Sequence, residues 1–264
     1  MTSFTTDALV IASRRFSEAD RILVLLTSER GKIPAIAKSV RKSNSKMQGA
    51  TQMFVHARFE LAEGKSLAIL RHAEVINPHL GLRDDWKKLQ LAGHVAEIAG
   101  KMSEEHHPDK DLYNLTLEAL DGVDSGRPDA VAKFKVGLLD HMGVFPDLSG
   151  CAKCGAGRVS GDIHLAETGG GFLCAKCAKA EGTYHPIPMK VLHVIHKLRT
   201  GEPIPADVEK ETIDLADDLL TVLLQSFLQA GFKTVAAERQ ARRAANNTGK
   251  SRDECADGIP GENE

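Results

Sequence analysis

At 264 residues, with 42% apolar and 27% charged side chains, the chain has the makeup of a globular protein of one large or two ordinary domains. No run approaches the roughly 20 apolar residues of a membrane span. The first residues lack the basic start, apolar stretch and cleavage site of a secretory signal. A cytoplasmic location is therefore expected, and disulfide frameworks are rare there.

The net charge of −2 hides an asymmetry. Residues 1–80 hold twelve Lys/Arg against seven Asp/Glu, and the remainder is acidic. Between Lys32 and Lys46 stand Lys38, Arg41 and Lys42 with no acid among them. A polyanionic partner and a plain solvated loop both fit that run.

Residues 8–70 read as strands. Apolar runs at 8–12, 22–27 and 33–37 are separated by a polar turn at 14–20 and a Gly31-containing reversal. Residues 53–61 alternate, with Val55, Ala57, Phe59 and Leu61 on one face and His56, Arg58 and Glu60 on the other. Further short strands are expected at 67–70 and 73–76. Five or so hairpin-linked strands in about 75 residues predict a small closed barrel, most simply an OB-fold. The linker 39–52, which carries positive charge with Ser, Asn and Gly and few apolar residues, is expected to be mobile when free. Aromatic residues for base stacking are few, namely Phe4, Phe16, Phe54 and Phe59, with Phe59 expected in the core.

From residue 79 the period becomes helical. Helices are predicted at 84–101 (stripe from Trp86 and Leu89 to Ile98), 109–121, 130–142 and 188–198. A fifth, at 205–230, has its stripe on Val208, Thr212, Leu215, Leu219, Val222 or Leu223, and Phe227. Such stripes need one another, so a bundle is expected. The segment 244–264, with the lone Cys255, reads as a disordered tail.

Interrupting the bundle are Cys151-Ala-Lys-Cys154 and Cys174-Ala-Lys-Cys177, with nineteen residues between them. Two Cys-x-x-Cys pairs at this spacing match a structural zinc site, with redox dithiols and disulfides as the competing readings. A four-thiolate cage leaves no open position for a substrate, so the zinc is read as structural. No nucleotide-hydrolysis, nucleophile-elbow or zinc-protease motif occurs, and no catalytic residue is assigned.

Three segments carry a family resemblance: Arg15-Phe16-Ser17-Glu18-Ala19-Asp20-Arg21-Ile22-Leu23, the stretch Thr27 to Lys38, and Met142-Gly143-Val144-Phe145-Pro146-Asp147-Leu148 leading into the two cysteine pairs. Together they resemble the bacterial RecO family of recombination mediators, over about residues 5–235. The family usually has glycine where Ser17 and Ser39 stand; if those positions need positive φ, serine costs about 1 kcal/mol each.

The resemblance implies an α+β protein with a five-stranded OB-fold barrel at 1–78 and a helical domain at 79–243, carrying an inserted zinc module at 150–182. It implies a non-enzymatic role in DNA repair and recombination: binding single- and double-stranded DNA, annealing complementary strands, and acting with RecR, and in some cases RecF, to load RecA on DNA coated by single-strand-binding protein. A helical-domain site for the tail of single-strand-binding protein is also implied, with Lys197, Arg199 and Lys233 as basic candidates. No membrane partner is expected, and the location is the bacterial cytoplasm, at the nucleoid when engaged. Residues expected on DNA are Arg14, Arg15, Arg21, Lys32, Lys38, Arg41, Lys42 and Lys46; the zinc ligands are Cys151, Cys154, Cys174 and Cys177. An OB-fold and zinc-ribbon protein acting on RNA or in transcription is the alternative.

Overall fold

Five strands close on themselves in the computed structural model, which describes residues 2–157, 163–166, 171–181 and 186–228. The expected tail, Cys255, Lys233 and Gly169-Gly170 lie outside the described residues. The strands are β1 (Ser3–Arg15), β2 (Arg21–Thr27), β3 (Gly31–Ala37), β4 (His56–Ala62) and β5 (Ala68–Asn77). Their order around the barrel is β1-β2-β3-β5-β4, with β3 and β5 parallel and the other pairs antiparallel. This is OB-fold connectivity.

Alternation explains the closure. Ala8, Val10, Leu23, Leu25, Ile33, Ala35, Ala57, Phe59 and Leu61 point inward and form one apolar core. The face predicted for residues 55–61 is the buried one. Two boundaries differ from expectation. β1 extends to both sides of its apolar run, because its polar ends still pair with β2 and β4. The two short strands expected after residue 66 are one strand, β5, with register shifts against β4.

The linker between β3 and β4, expected to be mobile from its composition, is anchored to the barrel at several points. Val40, Ala50 and Val55 are buried in the barrel core, and a 3-10 turn occupies Gly49–Thr51. Phe54 N–H donates to the Val10 carbonyl at 2.8 Å and Val10 N–H to the Val55 carbonyl at 3.0 Å. His79, buried between β5 and the first helix, bridges the Phe54 carbonyl (2.6 Å) and an Asp121 carboxylate oxygen (2.9 Å). Its apolar residues plug the barrel while its lysines stay outside.

The helices are α1 (Gly81–Asp84), α2 (Trp86–Met102), α3 (Lys110–Asp124) and α4 (Ala130–His141), then α5 (Ala175–Glu181), α6 (Met189–Thr200) and α7 (Lys210–Leu228). Asp85 and Asp109 cap α2 and α3, each accepting a backbone N–H. The buried stripes are rotated from those expected on two helices. On α2, Trp86 is 72% exposed and Ala92, Val95, Ile98 and Ala99 face inward. On α7, Leu215, Val222 and Phe227 are exposed and Ile213, Ala216, Leu220, Leu223 and Leu224 are buried. Inside the bundle, Lys135 on α4 is almost wholly buried, and donates to Asp217 Oδ1 and Thr221 Oγ1 on α7, both at 2.7 Å.

Barrel and bundle share an interface. Leu9, Ile11 and Leu26, which point out of the barrel, are buried, and Tyr113 Oη lies 3.0 Å from His56 Nε2. Gly31 has φ +63°, and a Cβ there would collide with the His107 and Glu104 carbonyl oxygens, so residues 104–107 lie directly on the start of β3.

Candidate nucleic-acid interface and metal centre

The antiparallel register of β1 and β2 sets Arg15 directly opposite Arg21. Like charges so placed repel. Arg21 is half-buried, and its Nη1 donates to Ser13 Oγ at 3.0 Å. Burial, then the charges of Arg41 and Arg15, hold its guanidinium below the ordinary arginine range. Its Nε is buried with no hydrogen-bond partner among the described residues. Three guanidinium charges therefore share one end of the barrel.

The β1–β2 turn presents Phe16 beside them, 60% exposed. Sequence reasoning counted that ring among the sparse aromatics but did not place it in the site. Its signal is position, an aromatic directly after Arg14-Arg15 at the start of a turn.

Arg41 has a structural share in this arrangement. Its Nη1 donates to the Ser17 and Glu18 carbonyls at 2.8 and 2.7 Å, pinning the β1–β2 turn to the linker. Ser39 adopts φ +57°, and its N–H donates to Asp20 Oδ1 at 2.8 Å. The suspected positive φ is thus found at Ser39 and is absent at Ser17. Lys38 follows Ala37, the register partner of Arg21, and Lys38, Lys42 and Lys46 are all exposed.

Two members of the expected set stand apart. Arg14, adjacent to Arg15 on β1, alternates to the other face. Lys32 reaches away from the cluster, its Nζ donating to the Gly100 carbonyl near the end of α2 at 2.9 Å. That ammonium joins barrel to bundle.

The four cysteines come together. Among the described residues their sulfurs form one group within 4.8 Å of one another, with Cys154 Sγ and Cys174 Sγ 3.9 Å apart. A tetrahedral M²⁺–S₄ centre with bonds of about 2.3 Å requires S···S edges of about 3.8 Å. The donor set and its spacing fit a metal ion. Gly155, at φ +68°, makes the first turn, its N–H donating to the Cys151 carbonyl at 2.9 Å. The second pair spans the end of β7 (Phe172–Cys174) and the first turn of α5. β7 pairs with β6 (Ile163–Leu165), which also pairs with β8 (Pro186–Ile187).

Burial raises the Cys151 thiol, but backbone N–H groups of Cys174, Cys154 and Lys153 outweigh it and bring it down to about 6. Cys177, hydrogen-bonded to Cys174 and close to the Cys151 charge, is pushed up to about 12. A divalent cation is what lets all four ionise together. Lys153 pairs with Glu181 at 2.8 Å, so its charge is met locally. Of the basic residues considered for a protein tail, Lys197 pairs with Glu202 and Arg199 with Asp140.

These features define a class: an OB-barrel protein with a helical region and an embedded four-cysteine cluster. Residues 1–79 match the family model for the N terminus of recombination protein O, and residues 83–235 match the model for its C terminus. The DNA repair protein RecO of Anaeromyxobacter sp. (strain K) is 32% identical over 231 residues, covering 83% of this chain and 89% of that protein. That of Symbiobacterium thermophilum is 30% identical over 225 residues, covering 83% and 88%. That of Heliobacterium modesticaldum is 39% identical over 170 residues, covering 64% and 60%. The chain belongs to the RecO family of DNA repair and recombination proteins. No helix among the described residues is long and apolar enough to cross a membrane.

Proposed function

We propose that this protein is a non-enzymatic recombination mediator. It binds single- and double-stranded DNA through the basic end of its barrel and anneals complementary strands. With RecR, and with RecF where that protein takes part, it helps RecA replace single-strand-binding protein on gapped DNA. The observation that carries the reading is the Arg15–Arg21–Arg41 cluster, three cations held together at a cost in stability. A polyanion is the partner that repays such a cost. Cations from Arg15, Arg21, Lys38, Lys42 and Lys46 would neutralise phosphates on two strands and lower their mutual repulsion, which is what annealing requires.

The cysteine cluster holds structural Zn²⁺ in this reading. Cys151, Cys154, Cys174 and Cys177 fill all four positions, so the ion orders the segment around it and takes no substrate. The acidic tail of single-strand-binding protein docks on the helical region.

The test is annealing of complementary oligonucleotides coated with cognate single-strand-binding protein, with folded RNA as competitor. The reading expects faster annealing that RNA displaces poorly. No acceleration, with tight binding of the folded RNA, would sink it and favour an RNA-directed role.

A further inference from the structure

A second feature lies at the opposite end of the barrel from the arginines. Between the start of β3 and the β4–β5 turn is a cavity of about 260 Å³, lined by Phe4, Ile33, Pro34 and Ala68 beneath and by Arg30, Lys65, Ser66 and His106 at the rim. The Arg30 guanidinium lies over the Phe4 ring, 4.0 Å from its centroid. The pair is aromatic on one side and cationic on the other. The rim carries one acid, Glu63, against Arg30 and Lys65, with the His106 imidazole beside them.

His106 is held there by backbone geometry. Its φ is +61°, a left-handed conformation in a non-glycine residue, within the segment seated on Gly31. Pairing between β3 and β5 is confined to Ala35–Ala68 and Ile36–Ile69. The cavity opens where that pairing has not begun.

We propose that this cavity seats one unpaired nucleobase of a bound strand. The base stacks on the Arg30 plane, Lys65 meets the adjacent phosphate, and Ser66 and His106 lie within reach of the base edge. The volume suits a single base, and its chemistry suits no bulky apolar ligand. A base inside a duplex has both faces covered by its neighbours and cannot enter. The cavity therefore confers preference for single strands, which guanidinium–phosphate contacts alone do not supply. Pro34 lies on β3 and Lys38 one residue beyond its end, at most about 13 Å apart, so a short stretch of DNA spans cavity and cationic end together.

This inference rests on the DNA-binding reading above, and one experiment separates their fates. Binding of the intact protein to a 20-nucleotide dT strand and to a 20-base-pair duplex is measured by fluorescence anisotropy. The variants are Arg30→Lys and the pair Arg30→Ala/Lys65→Ala, all at exposed positions. Loss of one stacked base weakens binding by about ten-fold. The double variant is expected to lose that much for dT, with duplex affinity within about two-fold of wild type. Arg30→Lys, which keeps the charge and removes the plane, is expected to lose most of the same preference. Equal losses on both DNAs, or none, overturn the base pocket and leave the arginine end in place. Wild-type protein that binds neither DNA overturns the DNA-binding reading itself.

Discussion

Arg15 faces Arg21 across the β1–β2 register, with the Arg41 charge acting on the same guanidinium. A directly opposed like-charged pair costs about 0.2–1 kcal/mol. Arg15→Gln should therefore raise the unfolding free energy by about 0.5 kcal/mol and weaken binding to single-stranded DNA. Urea melts and anisotropy titrations read the two effects separately. A variant that gains stability with undiminished affinity would place DNA elsewhere.

Ser39 and Ser17 should respond oppositely to glycine. Ser39 occupies φ +57°, where glycine removes a cost of about 1 kcal/mol, and its bond to Asp20 uses the backbone N–H that glycine retains. Ser17 accepts the Asp20 N–H through Oγ at 3.2 Å without positive φ, so glycine there loses a bond and gains nothing. Thermal melts should rise for Ser39→Gly and fall for Ser17→Gly. A fall for both would contradict the assignment.

His94, on α2, is held neutral by burial, with Lys135 adding to the effect, and its pKa is lowered to about 3; Glu97 opposes the shift and Lys101 reinforces it. An unfolded histidine titrates near 6.5. The stability this gives is complete above about pH 6.5 and is lost as pH falls toward about 3, at a slope of at most about 1.4 kcal/mol per pH unit. His94→Leu should flatten that part of the stability profile measured by urea melts between pH 7 and 4. An unchanged slope would assign the acid sensitivity to other groups.

Chelation of the metal proposed for the cysteine cluster should cost structure before it costs DNA contact. The cluster's own apolar support is small, chiefly Ala166, Leu173 and Ala178. Chelation, or Cys154→Ser, should lower the melting temperature and make the segment around the cysteines sensitive to protease, while affinity for dT stays within about two-fold. An equal loss of affinity would bring Lys153, or Lys176 and Lys179 on α5, into the DNA site.

The barrel and the cysteine cluster were legible in the sequence because each is written as a strict spacing. Val55 to Leu61 alternate, and the cysteines recur at three. What escaped depends on contacts between distant segments. The linker 39–52 is polar by composition, yet Val40 and Ala50, too sparse to form a periodic signal, plug the barrel. The α7 stripe was misplaced because apolar residues such as Leu215 and Val222 lie on both faces, and only packing chooses between them. Lys32 looked like one more member of a basic run until the fold carried its ammonium to Gly100.

The exposed lysines Lys38, Lys42 and Lys46 are expected to contact DNA phosphates. Arg41 braces the β1–β2 turn, so the most direct test spares it and changes Lys38, Lys42 and Lys46 together to alanine. The measurement is the dependence of dT affinity on salt. Each phosphate contact to a single strand contributes about 0.7 to the slope of log K against log salt, so the triple variant should lose about 2 from that slope and bind more weakly at low salt. A wild-type slope with wild-type affinity would contradict the account.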